Sequence, residues 1–259
     1  MQTNWFLWRG TDSRTRGVVV EEYPPVTRAG TRDARISIPG RSGSLALAGP
    51  PVYADVRLTL KVLLKPGVLP SEVVGWLSGS GLLVLGCEPE RSLEARLASP
   101  LQFRALPDGW YGGYLRFDCH PFKRQVPEEA DLMVSPAQLA DPGWRGLTNP
   151  GNVPARPRYA ILGSGCLTLT WHLPGREAPP KLTVDLRGTP WAASGGAVFD
   201  SARMTVTTPD GLTSLAPVSG LENGEAEDFG LPPGETRLSA ASEGGAIEGF
   251  TVTPRWRWL

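Results

Sequence analysis

Apolar and polar residues alternate along most of this chain of 259 residues. In residues 56–64 every second residue is apolar, whereas Arg57, Thr59 and Lys61 lie between them. Successive side chains of a strand point to opposite faces, so this pattern predicts a strand with one buried face. Pro-Gly or Asp-Gly pairs separate further stretches with the same alternation, at 93–97, 167–171, 182–186 and 204–206. We therefore predict a mostly β protein built from short strands.

One window departs from this alternation and has the spacing of a helix. Four apolar residues recur there at the positions of one helical face: Leu69, Val73, Trp76 and Leu77. Ser71 can cap the N-terminus of such a helix, and Glu72 favours the positive end of its dipole. Gly79 follows and ends the pattern. The sequence predicts one short helix at residues 71–78, packed against a sheet.

A change in composition predicts two domains. Residues 123–140 mix charge with proline, and Asp-Pro-Gly and Asn-Pro-Gly turns follow at 141–143 and 149–151. We place the boundary after residue 136, which gives a first domain at 1–136 and a second at 137–259. Residues 1–134 carry 16 basic and 14 acidic side chains, whereas residues 135–259 carry 10 and 12, so the two parts differ only slightly in charge.

Charge and hydropathy narrow the classes of function. The chain has 26 basic and 26 acidic residues, so it lacks the basic excess of proteins that hold nucleic acid by neutralising phosphates. No apolar stretch approaches the roughly 18–20 residues that span a bilayer. The N-terminus also lacks the basic start and apolar stretch of a secretory signal. We expect a soluble protein that is made in the cytoplasm and does not insert into a membrane.

Catalytic motifs are missing from the sequence. There is no Gly-x-Ser-x-Gly, no phosphate-binding Walker loop and no His-Glu-x-x-His. Only two histidines occur, His120 and His172, and Cys119 precedes His120 directly, so in a strand their side chains point to opposite faces. Three scattered cysteines, Cys87, Cys119 and Cys166, are expected to be small buried side chains without a disulfide. We expect no enzymatic activity, no metal and no cofactor.

Nine tryptophans are an unusual feature of the composition. Trp171 alternates in phase with leucines and Trp76 lies on the apolar helix face, so we predict both for the core. Trp144 and Trp191 lie in Gly/Pro-rich surroundings and are candidates for exposed side chains. Exposed tryptophan is enriched at protein interfaces and has an apolar face that suits sugars. Trp144 and Trp191 are therefore the candidate residues for a sugar platform.

Short motifs follow one another in a specific order along both halves. Residues 36–45 read Ile-Ser-Ile-Pro-Gly-Arg-Ser-Gly-Ser-Leu and precede the strand at 56–64 and a helix that ends in Val-Gly-Trp-Leu. Trp-Arg-Gly-Thr-Asp-Ser at 8–13 comes before them. The later motifs are Asn-Pro-Gly-Asn at 149–152, Gly-Ser-Gly at 163–165, Leu-Pro-Pro-Gly-Glu at 231–235 and Trp-Arg-Trp at 256–258. In this order they resemble the distal tail proteins of long-tailed phages, although Thr236 stands where that family has Asn.

The resemblance implies a specific architecture and role. The first domain would be a β-sheet domain with one short helix, related to tail-tube subunits and assembling into a homo-hexameric ring. The second would be a β-sandwich similar to galectins or carbohydrate-binding modules. Such a ring joins the tail tube protein to the tail-tip hub, anchors receptor-binding proteins of the adhesion apparatus and leaves a lumen for DNA. No catalysis is implied, and the protein would be located in the virion, at the phage tail tip.

Two sets of candidate site residues follow. Gly40, Arg41 and Gly43 lie in the best-matching motif and are candidates for the subunit interface, because an arginine fork satisfies several acceptors at once. A simple tight turn is the alternative interpretation of these residues. Trp144 and Trp191 are the candidates for an alternative function, a carbohydrate- or receptor-binding module of a tail-tip protein.

Overall fold

A computed structural model describes residues 4–25, 28–32, 35–37, 40, 42, 44–46, 52–98, 100–144 and 146–259. Strands make up 48% of the structure and helices 11%, so the mostly β prediction is confirmed. The chain divides into two compact units, Met1–Val126 together with Leu259, and Pro127–Trp258. We call them the first and the second unit. Within the described residues, no helix has the length and apolar character needed to cross a membrane.

The first unit is built around one curled antiparallel sheet. Its strands in the described ranges are β1 (Phe6–Trp8), β2 (Thr11–Asp12), β3 (Val18–Glu22), β4 (Arg35–Ser37), β5 (Ser44–Ala46), β6 (Val56–Leu64), β7 (Ser80–Leu85), β8 (Glu88–Leu97), β9 (Phe103–Ala105) and β10 (Tyr111–Gln125). The strand order of the sheet is β2-β1-β7-β8-β10-β6-β3, with β9 added to β10, whereas β4 and β5 pair only with each other.

The sheet curls until its two edges approach. Val20 of β3, at one edge, donates its backbone N–H to the carbonyl of Asn4, just before β1 near the other edge, at 3.1 Å. The apolar face of the predicted strand 56–64 lies inside this curl, where Leu58, Leu60, Val62 and Leu64 of β6 are buried and Val56 is half-buried. Every second residue points inward, so the interior fills with apolar side chains and the exterior stays polar.

The predicted helix exists, with two corrections. It is α1 (Pro70–Leu77), and proline at its first position suits a helix start because no N–H is lost there. The expected cap by Ser71 is wrong, since Leu69 occupies the cap position without a side-chain hydrogen bond. Leu69 is 57% exposed and does not join the buried face. Leu77 is fully buried, and Trp76, which is half-buried, stacks on Phe6 with 5.7 Å between ring centroids.

The second unit consists of two five-stranded antiparallel sheets. Its strands are β11 (Leu132–Val134), β12 (Leu147–Asn149), β13 (Arg158–Gly163), β14 (Cys166–His172), β15 (Lys181–Asp185), β16 (Gly196–Asp200), β17 (Thr205–Thr207), β18 (Ser219–Glu222), β19 (Gly234–Glu243) and β20 (Ile247–Thr253). The sheet orders are β11-β20-β13-β16-β17 and β12-β19-β14-β15-β18. Buried side chains from both sheets form one apolar core.

Aromatic residues fill the centre of this core. Trp171, predicted for the core, is fully buried and packs edge-on against Tyr159 and Phe229, with centroids 5.3 and 5.1 Å away. Its indole N–H donates to the Tyr159 hydroxyl at 3.1 Å, and that hydroxyl donates to the Phe229 carbonyl at 3.3 Å. Both polar atoms are therefore satisfied inside an apolar core, where an unpaired donor is costly.

The units divide after Val126, earlier than the sequence suggested, because β11 pairs with β20 of the second unit. The residues after β11 form a second helix, α2 (Pro136–Ala140), which the apolar spacing did not predict. Ser135 and Gln138 cap it reciprocally: the Ser135 hydroxyl accepts the Gln138 N–H at 3.3 Å, and the Gln138 amide oxygen accepts the Ser135 N–H at 3.0 Å. This spacing is a recognisable helix-start signal.

Candidate interaction surfaces

Gly40, one of the predicted interface residues, lies between the antiparallel strands β4 and β5, in which Ile36 pairs with Leu45. Gly40 has a φ of +84° and is exposed, and a Cβ at that position would meet nothing within 4 Å. Glycine is therefore required there by backbone conformation and not by packing. Arg41 and Gly43 lie outside the described residues, so their place at an interface stays a prediction.

The two candidate sugar-platform tryptophans are both half-buried and pack against the core of the second unit. Trp144 follows a turn in which its N–H donates to the Asp141 carbonyl at 3.2 Å. Trp191 follows Thr189, whose hydroxyl accepts its N–H at 3.2 Å. Among the described residues neither ring stacks on another aromatic side chain. A sugar platform at these two residues stays a prediction.

The titratable residues that could carry chemistry are dispersed. Cys119 is buried and His120 exposed, as expected for neighbours on a strand, and burial raises the pKa of the Cys119 thiol to about 12. Cys87 is exposed in the turn between β7 and β8, which corrects the expectation that all three cysteines are buried. The nitrogen Nε2 of His172 lies 2.8 Å from the Ser239 hydroxyl. Within the described residues, no group of three His, Cys, Asp or Glu residues could hold a metal ion.

A groove of about 840 Å³ runs along the outer face of the first unit. We call it the outer groove; its principal lining residues are Lys61, Leu63, Arg104, Leu106, Tyr114 and Arg116. The groove lies on this face because side chains alternate along β10: Leu115 and Phe117 point inward, so Tyr114 and Arg116 point outward. Tyr114 is 54% exposed and pairs in register with Lys61 of β6.

Two adjacent glycines shape the floor of the outer groove. Gly112 pairs with Leu63 on one side and with Arg104 on the other. A Cβ at Gly112 would lie 3.1 Å from the Leu106 side chain, and a Cβ at Gly113 only 2.6 Å from the ring of Phe103. Glycine in a strand often marks such a close approach. The adjacent glycines of Tyr-Gly-Gly-Tyr at 111–114 are the signal in the sequence that could have predicted this surface.

The outer groove carries excess positive charge. The Lys61 ammonium donates to the Glu21 carboxylate at 2.8 Å, and this hydrogen bond together with the carboxylate charge raises the pKa of Lys61. No acidic side chain of the described residues pairs with Arg104 or Arg116. Arginine and tyrosine are enriched among the residues that dominate the binding energy of protein interfaces. Leu63 and Leu106 add an apolar surface beside them. The arrangement therefore suits a partner that presents carboxylates beside an apolar side chain.

Comparison with known proteins gives a match at the level of fold. No family model and no curated protein matches the sequence. Among solved structures, the chain matches the Dit protein (gp 19.1) of phage SPP1, which is a hub protein of the adsorption apparatus of phages that infect Gram-positive bacteria. The TM-score is 0.64 at 14% identity, and the match covers 98% of this chain and 99% of that one. The baseplate of phage P2 in its activated conformation with Ca matches with a TM-score of 0.45 at 11% identity over 96% of both chains. The present chain therefore has the fold of the SPP1 Dit protein along nearly its whole length, and the resemblance to phage distal tail proteins is confirmed for the fold.

Proposed function

We propose that this protein is a structural component of a phage tail tip, a distal tail protein located in the virion. The observation that carries the proposal is the match to the SPP1 Dit fold over 98% of the chain, which includes both units. A fold alone hosts many functions. The ordered motifs of both halves add support, because they are spread over the same length as the structural match.

In this proposal six copies form a ring between the tail tube protein and the tail-tip hub. The ring anchors the proteins that attach to the host and leaves a lumen for DNA. A cyclic ring needs two different, complementary surfaces on each copy. The first unit supplies the ring contacts, and the second unit is a galectin-like sandwich. The protein acts without catalysis.

Electron microscopy of the purified full-length chain tests this proposal. We expect six-fold rings in negative stain and a mass of about six chains in light scattering. The Arg41→Ala variant should fold normally and assemble less tightly if its guanidinium crosses the interface. Arg28→Ala, which removes an arginine outside the motif, is the control. A protein that remains monomeric at all concentrations would contradict the ring.

A further inference from the structure

The division of the chain after Val126 reveals a charge asymmetry. Residues 1–126 carry 16 basic and 11 acidic side chains, a net charge of +5. Residues 127–258 carry 10 basic and 15 acidic side chains, a net charge of −5. The neutral chain is therefore composed of two oppositely charged units. In an assembly of identical chains, first units repel each other over distances up to about 10 Å at 0.1 M salt, whereas first and second units of different copies attract.

The second unit has one edge where this negative charge lies beside an apolar side chain. Strand β18 pairs only with β15 in the part of the chain that the structure describes, so its other edge is free. Leu221 on this strand is 39% exposed, and the neighbouring Glu222 is exposed and forms no ion pair among the described residues. Glu225 follows within three residues and is also exposed.

The two acidic residues at 227 and 228, which follow this edge, already form ion pairs within the second unit. Glu227 pairs with Arg156 at 3.3 Å, and Asp228 pairs with Arg176 at 2.7 Å. These two pairs hold the segment after β18 against the second unit. The Glu225 carboxylate takes part in the cap of the next turn with Asp228, so Glu222 is the carboxylate of residues 221–225 that is open to an outside partner. This segment combines an apolar side chain with a carboxylate, which complements the apolar side chains and the arginines of the outer groove.

We propose that the outer groove of one copy binds residues 221–225 of a second copy. The edge of β18 enters the groove, so that Glu222 on one face of the strand lies near Arg104 and Arg116, whereas Leu221 on the other face packs against the apolar surface beside Tyr114. The groove arginines then gain an acidic partner, which they do not have among the described residues of their own chain. This inference rests on the proposed ring and adds to it a contact between the first unit of one copy and the second unit of the next. Such complementary charges determine which surfaces meet and in which register.

Charge reversal in the full-length protein tests the groove. We expect Arg104→Glu/Arg116→Glu to weaken assembly by about tenfold or more, measured as the concentration at half-assembly in sedimentation or mass photometry. The matched control is Arg96→Glu/Arg203→Glu, which reverses the same number of exposed arginines outside the groove. It should assemble like the wild type. Melting temperatures show that each variant is folded.

A charge exchange identifies the partner segment. Glu222→Arg alone should also weaken assembly, and its combination with Arg104→Glu/Arg116→Glu should restore a large part of the loss. If the groove variant assembles like the wild type, this inference is wrong while the ring stands. If both variants weaken assembly and the combination does not recover, a different acid occupies the groove and the inference is overturned. A wild-type chain that stays monomeric contradicts both the ring and this contact.

Discussion

The side-chain amide of Asn149 donates a hydrogen bond to the backbone carbonyl of Leu231 at 2.8 Å. The same nitrogen donates to the Val153 carbonyl at 3.1 Å, and the amide oxygen accepts the Gly151 N–H at 2.8 Å. Asn149 is buried, so each of these groups would be costly to leave unpaired. The bond joins two of the sequence motifs, at 149–152 and 231–235, that lie 82 residues apart. A long-range contact to a backbone carbonyl therefore accounts for the asparagine of the first motif.

Asn149→Asp should strongly destabilise the second unit. The substitution keeps the shape of the side chain but replaces a donor by a charged oxygen that faces two carbonyls. A buried charge without a partner costs several kcal/mol, so we expect a loss of about 3 kcal/mol or more in the free energy of unfolding. Urea denaturation measures it. Asn223→Asp, at an exposed residue of the same unit, is the control and should have little effect.

Asp200→Asn should make the stability of the protein less dependent on pH. Burial raises the pKa of the Asp200 carboxyl, but the Arg255 guanidinium and the N–H groups of Ala202 and Arg203 outweigh it and lower the pKa below the usual 3.8. A lowered pKa in the folded state stabilises the protein above pH 3.8 and loses this effect as the pH falls further. The wild type should thus be the more stable at pH 7, and the difference should shrink below pH 4. A constant difference from pH 7 to pH 2 would contradict this coupling.

The sequence could predict those elements whose signal is local. Strand alternation located β6, because its five inward positions follow a strict period of two. The helix was found by its apolar spacing, but its first residue was missed because Pro70 and not Ser71 starts it. Helix α2 was missed because five residues are too few to show a period, and only the cap at Ser135 signals it.

The interaction surfaces could be predicted less well, because they depend on which strands become neighbours. Arg104 and Arg116 are ordinary surface arginines in the sequence, and only the pairing of β9 and β10 places them in one groove. The charge difference between the two units could not be predicted from the sequence either, because it depends on where the boundary between them lies. Three acidic residues at 128–131 directly precede β11 and belong to the second unit, because β11 pairs with β20. No local pattern in the sequence indicates this pairing.

Leu77→Asp should unfold the first unit. Leu77 is fully buried on α1, and an aspartate there would have no cation or donor to compensate for its loss of water. We expect a loss of about 4 kcal/mol or more, seen as a missing or strongly lowered thermal transition. Val74→Asp is the matched control on the same helix, because Val74 is 37% exposed. Equal effects of both substitutions would show that α1 is not packed as described.

Sugar binding by the second unit should be weak or absent. Trp144 and Trp191 are half-buried against the core, so only part of each ring could stack on a sugar. We expect no micromolar binding of the full-length chain on a glycan array or in calorimetric titration. Binding at that strength that is lost in Trp144→Ala or Trp191→Ala would instead favour the carbohydrate-binding module. Trp76→Ala, in the first unit, controls for effects of tryptophan removal that are unrelated to this surface.

Ring formation should persist in a fragment of residues 1–126, although at a higher concentration than in the full chain. The fragment keeps its own apolar core inside the curled sheet, so it should fold alone. It lacks residues 221–225, however, and the +5 charge of neighbouring copies is no longer offset by second units. Added salt should therefore strengthen assembly of the fragment and weaken that of the full chain, because screening removes repulsion in one and attraction in the other. Light scattering of the fragment, of the full chain and of residues 127–259 at low and high salt separates these effects. A monomeric 1–126 fragment beside an oligomeric 127–259 fragment would place the ring contacts in the second unit.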